Sequence, residues 1–169
     1  ALSGVVSGTG GLIKNGPSNL TLNGINTYSG GTTLNAGIVT LGTSAGLGSG
    51  AVTVAGASTL DTTAPLVLAN NLNVNANLNV AGNNNLTLGG VIAGAGTLTK
   101  NGLADLMLTG NNTFSGTFYV QSGNLTTLGN SALGSNAGVN LGAAATLNLG
   151  GSGSLASLTG SGTALIGGG

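Results

Sequence analysis

The side chains of this chain that could take part in catalysis are four charged groups, Lys14, Asp61, Lys100 and Asp105. The sequence contains no His, Cys, Glu, Arg or Trp. General acid–base catalysis requires a titratable group poised near the working pH, and a hydroxyl nucleophile requires a base beside it. The many Ser and Thr hydroxyls have no imidazole to activate them. The sequence therefore predicts a protein that is not an enzyme and that carries no cofactor.

The same scarcity of charge limits the partners that the sequence predicts. Binding of nucleic acid requires several cationic side chains against the phosphates, and two lysines do not supply them. Zinc and iron sites need His or Cys ligands, and calcium-binding repeats need regularly placed Asp. No apolar run approaches the roughly 20 residues of a membrane-spanning helix. We therefore expect no metal, no nucleic acid and no membrane-spanning segment in this chain.

Two segments of the chain repeat one another. Residues 5–40 and 91–126 align without a gap at a constant offset of 86, and 16 of the 36 paired positions are identical. The identical positions include glycines, strand leucines and the triplet Lys-Asn-Gly at 14–16 and 100–102. Residues from about 158 restart the pattern and predict a partial third repeat. A long period built from short strands is typical of a solenoid, in which each unit buries its apolar face against its neighbours.

Short apolar-polar-apolar segments such as Leu20-Thr21-Leu22 and Val52-Thr53-Val54 recur along the chain. This alternation is typical of half-buried strands with Leu and Val inward. Three strands per coil predict an all-β protein, a parallel β-helix (β-solenoid) of about eight coils of roughly 20–22 residues, with the repeat offset equal to about four coils. Residues 1–169 are expected to form a single domain, and a β-sandwich of longer strands is the second choice. The leucines expected in the core are Leu12, Leu20, Leu22, Leu98, Leu106 and Leu108.

The motifs of the two segments resemble a known repeat. The run Gly-x-Gly-x-Leu-x-Lys-Asn-Gly is followed by Leu-x-Leu-x-Gly-x-Asn-Thr-Tyr/Phe-Ser-Gly, and then by a strand that ends at Gly37 or Gly123. This order resembles the passenger-associated transport repeat, also called the autotransporter-associated β-strand repeat. The second copy departs from the family at Thr117-Phe118-Tyr119, where bulkier residues replace Gly-Thr. The resemblance implies a right-handed parallel β-helix, exported to the bacterial surface or beyond, and it carries over no catalytic residues.

Two groups of side chains in the repeats are candidates for a specific role. Lys14 and Lys100 precede Asn-Gly turns, and we interpret them as solvated turn lysines. Phe114, Phe118 and Tyr119 form the one aromatic cluster of the sequence. They are the predicted site of contact with a partner or a surface glycan.

Three functions are compatible with these features. The first is an extracellular structural protein whose chains stack head to tail into a homopolymeric filament, because a net charge of zero offers little repulsion and neither predicted end carries a cap. The second is a stalk or passenger segment of a bacterial autotransporter that displays an adhesin. The third is a solenoid that binds ice or glycans. The chain begins at Ala1 without Met, which indicates a processed or excised segment of a secreted or cell-surface protein.

Overall fold

The computed structural model describes residues 1–82, 84–129, 132–134, 136–150 and 155–167. In this part of the chain, short strands are joined by turns, and a helix able to cross a membrane is absent from it. The strands, in chain order, are β1 (Leu12–Lys14), β2 (Asn19–Leu22), β3 (Thr32–Leu34), β4 (Gly37–Leu41), β5 (Val52–Val54), β6 (Ser58–Thr62), β7 (Leu66–Leu68), β8 (Leu72–Val74), β9 (Asn77–Val80), β10 (Leu86–Leu88), β11 (Ile92–Ala93), β12 (Thr97–Lys100), β13 (Leu106–Leu108), β14 (Thr117–Leu128), β15 (Gly138–Gly150), β16 (Ser157–Gly160) and β17 (Thr163–Ile166).

These strands stack into three ladders, which we call faces 1, 2 and 3. Face 1 contains β1, β3, β5, β8 and β11. Face 2 contains β2, β4, β6, β9 and β12, then the first parts of β14 and β15, and finally β16. Face 3 contains β7, β10 and β13, then the second parts of β14 and β15, and finally β17. Every pairing within a face is parallel, so the predicted parallel β-solenoid is confirmed.

One turn of the solenoid occupies about 20 residues. On face 2 each residue pairs with a residue 19 to 21 positions further along the chain. The ladder begins with Asn19 and ends with Gly160, which gives about seven turns. The eight coils expected from the sequence counted the whole chain, whereas the ladder of face 2 covers only the residues from Asn19 to Gly160.

Leucine, valine and phenylalanine side chains fill the interior, and in most strands they alternate with outward polar residues. Leu12 and Leu20 are half-buried against this core, because β1 and β2 are the first strands of faces 1 and 2. The other leucines predicted to lie in the core are buried: Leu22, Leu98, Leu106 and Leu108. The period-two alternation therefore identified the inward side of the strands correctly.

The two sequence repeats do not lie directly above one another. Lys14 belongs to β1 on face 1, whereas Lys100 belongs to β12 on face 2. The following strands show the same step, because β2 lies on face 2 and β13 lies on face 3. The offset of 86 residues therefore corresponds to four turns of about 20 residues and about a third of another. The prediction that it equals about four coils is wrong by one face, because the turn is shorter than expected.

Candidate functional site: repeat supports and the polar face

Lys14 binds backbone carbonyl oxygens at a corner of the solenoid. Its Nζ donates to the carbonyl oxygen of Gly16 at 2.6 Å and to that of Ala36 at 3.0 Å. Gly16 follows Lys14 in the same coil, whereas Ala36 belongs to the next one, so the ammonium group ties two coils together. We call this arrangement, a lysine with its two carbonyl acceptors, the lysine clasp.

Lys100 forms a second lysine clasp with the residues at the matching repeat positions. Its Nζ donates to the carbonyl oxygens of Gly102 at 2.5 Å and Ser122 at 3.0 Å. The Lys100 side chain is only 2% exposed. Burial lowers the pKa of its ammonium group, and the charge of Asp105 opposes that effect. The carbonyl dipoles compensate part of the cost of burying this charge.

The interpretation of both lysines as solvated turn residues is wrong. Lys14 pairs in register with Leu34 on face 1, and Lys100 lies between Val80 and Val120 on face 2. These neighbours are buried, so the lysines occupy inward positions of their ladders. The pattern Leu-x-Lys in β1 and β12 contains this signal, because residues two positions apart in a strand face the same side.

A glycine in each repeat leaves space for the lysine clasp. Gly37 has a φ of 83° and Gly123 a φ of 69°, a region that residues with a side chain rarely adopt. A Cβ atom at Gly37 would lie 2.6 Å from the Nζ of Lys14. One at Gly123 would lie 2.7 Å from the Nζ of Lys100. The lysine and the glycine that are identical in the two copies therefore belong to one structural unit.

Two buried asparagines continue the hydrogen-bonded stack where a coil lacks a strand. The Oδ1 of Asn112 accepts the backbone N–H of Ile92 at 2.7 Å, and its Nδ2 donates to the carbonyl oxygen of Ala132. Asn26, at the matching position of the first copy, makes the same two bonds to the coils on either side of it, at 2.8 and 2.7 Å. A primary amide carries a donor and an acceptor, so it can take the place of a peptide group in the ladder.

The aromatic cluster predicted as a contact surface is divided between the core and the surface. Phe114 and Phe118 are fully buried, and their rings meet edge to face with centroids 4.9 Å apart. A ligand has no access to either ring, so their assignment as contact residues is corrected. Tyr119 points outward from face 2 and is 40% exposed. It is the one member of the predicted cluster that a ligand can reach.

Tyr28 and Thr32 occupy, in the first copy, the positions that Phe114 and Phe118 hold in the second. Thr32 donates its hydroxyl proton to the carbonyl oxygen of Leu47 at 3.1 Å, so the Tyr28 hydroxyl donates to Thr32 Oγ1 at 2.6 Å. Burial raises the pKa of the Tyr28 hydroxyl, and the hydrogen bond with Thr32 opposes this shift. A hydrogen-bonded pair in one copy is thus replaced by an aromatic pair in the other.

Face 2 carries a shallow groove that is bordered by Ile38 and Tyr119. Between them, Thr59, Asn79 and Thr99 pair in register and point outward. The groove has a volume of about 460 Å³, and none of the residues that line it is charged. Its floor is therefore a neutral array of hydroxyl and amide groups.

The carboxylates of the described residues serve local hydrogen bonding. Asp105 accepts a hydrogen bond from the Nδ2 of Asn124 at 2.7 Å. Asp61 accepts one from the backbone N–H of Thr62 at 2.8 Å. Within the part of the chain that the structure covers, no three potential metal ligands among His, Cys, Asp and Glu come together.

The three parallel faces and the repeated lysine clasps define a β-solenoid built from an internal repeat. The family model described as passenger-associated-transport-repeat matches residues 12–41 and 98–126, which include both lysine clasps. The chain therefore contains two copies of the passenger-associated transport repeat, as the motifs implied. No curated protein and no solved structure gives a significant match. The repeat and the fold fit a segment of an autotransporter passenger.

Proposed function

We propose that this chain is a non-catalytic structural segment of a bacterial autotransporter passenger, exposed outside the cell. The two passenger-associated transport repeats support a passenger and a secreted or cell-surface location. The observation that carries the structural role is the continuity of the stack. Face 2 runs through both repeats, from β2 to β16.

The bonding between coils is what makes such a segment stiff. Backbone ladders join successive coils on the faces, and the lysine clasps join coils at two corners. Among the described residues, no buried side-chain nitrogen or oxygen lacks a hydrogen-bond partner. At the usual strand spacing of about 4.8 Å, about seven turns span roughly 34 Å. Each coil then stabilises its neighbours, as in other solenoids.

Surface exposure tests this proposal. An antibody raised against the purified chain should label intact cells of the native organism, and brief protease treatment of those cells should remove the label. A cytoplasmic protein that survives the same treatment controls for cell integrity. Labelling that requires permeabilised cells would refute the proposed location.

A second candidate is head-to-tail assembly into a filament. It is favoured by apolar residues of the last described coil that occupy inward positions and are nevertheless exposed. Leu158 pairs in register with the buried residue Val139 and so occupies an inward position, but it is 42% exposed. Ile166 pairs in register with the buried residue Leu149, but it is 74% exposed. Another coil stacked on these positions would bury them and extend the parallel ladders. A contact of this kind is heterologous and propagates without closing.

Sedimentation of the purified chain across salt concentrations tests assembly. A filament held by apolar burial and backbone pairing should sediment as large particles at micromolar concentration, with little dependence on salt. Leu158→Asp should prevent it, whereas the control Val67→Asp changes an exposed apolar residue on β7, the first strand of face 3 and far from the last coil, and should assemble normally. A stable wild-type monomer would contradict the filament and leave the passenger segment as the proposed function.

A further inference from the structure

Face 2 presents two rows of outward side chains that run along the solenoid axis. One row contains Asn77, Thr97 and Thr117, which pair in register. The parallel row passes from Ile38 through the small polar side chains of the groove to Tyr119. Successive residues in each row are separated by the strand spacing of about 4.8 Å. Face 2 thus offers a regular grid of hydroxyl and amide groups rather than a single binding point.

The groove lies between two taller side chains on this grid. Ile38 and Tyr119 are four coils apart and about two-fifths exposed, and the residues between them are threonine and asparagine. Four strand spacings amount to roughly 19 Å. A ligand that fills this groove is therefore narrow and elongated.

The available hydrogen-bonding groups indicate the chemistry of the ligand. In the described structure, the side chains of Asn77, Thr97 and Thr99 make no hydrogen bond of their own, so their donors and acceptors face solvent. Hydroxyl and amide groups pair well with a ligand that is itself rich in hydroxyls. An exposed tyrosine ring provides an apolar plane with a polar tip beside them.

Charge favours a neutral ligand. No charged residue lines the groove, and the whole chain contains two lysines and two aspartates. Asp61, the charged residue of face 2 that lies near the groove, is on β6 two residues beyond Thr59 and would repel an anionic ligand. An anionic polymer finds no cation here to pair with.

We propose that the groove on face 2 binds an uncharged oligosaccharide that lies along the solenoid axis, with Tyr119 as its stacking platform. An extended chain of pyranose units advances by a distance similar to the strand spacing, so successive sugars meet successive coils. Tyr119 covers the apolar face of one sugar, Thr97 and Thr99 bind hydroxyl groups of the next sugar, and Asn77 binds those of the sugar after it. This surface role is independent of the passenger role, since a stiff segment needs no ligand.

The chain permits a direct test, because it contains no Trp and its tyrosines are Tyr28 and Tyr119. In a Tyr28→Phe protein the intrinsic fluorescence reports on Tyr119 alone. We would titrate this protein with cellohexaose, laminarihexaose, maltohexaose and N-acetylchitohexaose, and with hexagalacturonate as the charged control. A saturable change with at least one neutral hexasaccharide and none with hexagalacturonate is expected. Isothermal titration of the wild-type chain provides a readout that does not depend on the Tyr28 substitution.

Variants separate the groove from the rest of the surface. Tyr119→Ala should weaken binding by roughly five- to tenfold, the loss expected for one stacking contact, whereas Tyr119→Phe should retain it. Thr99→Val removes one hydroxyl at constant shape and should also weaken binding. Val67→Ala, on face 3, is the matched control and should bind like wild type.

Three outcomes would overturn the proposal. The first is the lack of saturable binding to any neutral hexasaccharide. The second is equal binding by wild type and Tyr119→Ala. The third is freezing-point depression by the wild-type chain without binding of sugar, which would assign the hydroxyl grid to ice instead.

Discussion

Lys14 and Lys100 lie on different faces of the solenoid, yet each ammonium group binds the same two carbonyl positions of its repeat. The acceptors are the residue two positions further along and the residue 22 positions further along. The lysine clasp is therefore a property of the repeat rather than of one face. Each copy carries the side chain that fastens it to the following coil.

Substitution of Lys100 tests the strength of the clasp. Lys100→Met keeps an unbranched side chain that is one atom shorter but leaves the carbonyl oxygens of Gly102 and Ser122 without their donor. Each buried polar group left unpaired costs about 1–3 kcal/mol, so we expect the free energy of unfolding in urea to fall by about 1–3 kcal/mol or more. The control Asn73→Ala, exposed on face 1, should change it by less than about 0.5 kcal/mol. Equal stability of Lys100→Met and wild type would show that the clasp contributes nothing.

The contribution of the buried asparagines to stability can be tested by comparing Asn112 with its exposed neighbour Asn111. Asn112→Ala removes the acceptor of the Ile92 N–H and the donor to Ala132, so we expect a loss of about 2 kcal/mol or more in unfolding free energy. Asn111→Ala, one residue earlier and exposed, should cost less than about 0.5 kcal/mol. Chemical denaturation of the two variants side by side measures the difference. If Asn111→Ala were the more damaging change, the assignment of the ladder role to Asn112 would be wrong.

A third prediction follows from the difference in burial between leucines of the first coil and leucines further along the solenoid. Leu106 is fully buried, and Leu106→Ala should cost about 2–5 kcal/mol. Leu20 is half-buried at the start of face 2, and Leu20→Ala should cost clearly less. Thermal or chemical denaturation can rank the two variants. The reverse order would mean that the first coil is covered more completely than its half-buried leucines indicate.

A fourth prediction concerns alkaline pH. Burial raises the pKa of Tyr28 above the ordinary value of about 10, so above that pH the unfolded chain releases this proton while the folded chain retains it. The folded state then binds more protons than the unfolded state, and stability falls as pH rises. Tyr28→Phe should lose less stability than wild type as the pH rises above about 10.

Lys100 affects the same measurement in the opposite direction. Its lowered pKa means that the unfolded chain binds more protons below about pH 10.4, so its contribution makes stability rise as pH approaches that value. The comparison of wild type with Tyr28→Phe keeps Lys100 constant and isolates the tyrosine. Parallel stability curves for the two proteins would contradict the buried Tyr28 hydroxyl.

The sequence predicted the architecture and much of the core, because alternation in segments such as Leu106-Met107-Leu108 reports directly which side chains face inward. It did not predict the face of each repeat. A difference of about one and a half residues per turn accumulates over four turns to a third of a turn. The length of a turn is set by corner geometry, which the alternation does not record. The groove was missed for the same reason, since Thr59 and Tyr119 become neighbours of one row only after the register is known.

The aromatic residues show a second limit of sequence reasoning. Phe118 and Tyr119 are adjacent in sequence, and their shared chemistry suggested one contact surface. In a strand, adjacent residues point to opposite sides, so Phe118 faces the core and Tyr119 faces solvent. The alternation within Thr117–Val120 was sufficient to separate them.

The third of a turn by which the second repeat is displaced has a geometric consequence for longer chains. The strand-free stretch that contains Asn26 lies on one side of the solenoid, and the stretch that contains Asn112 lies on the next side. A chain extended by further copies at this spacing would return to the first side only with the fourth copy. The strand-free stretches of successive copies would therefore follow a helical path around the solenoid axis. A partner that approaches from any side would meet the stretch of at least one copy.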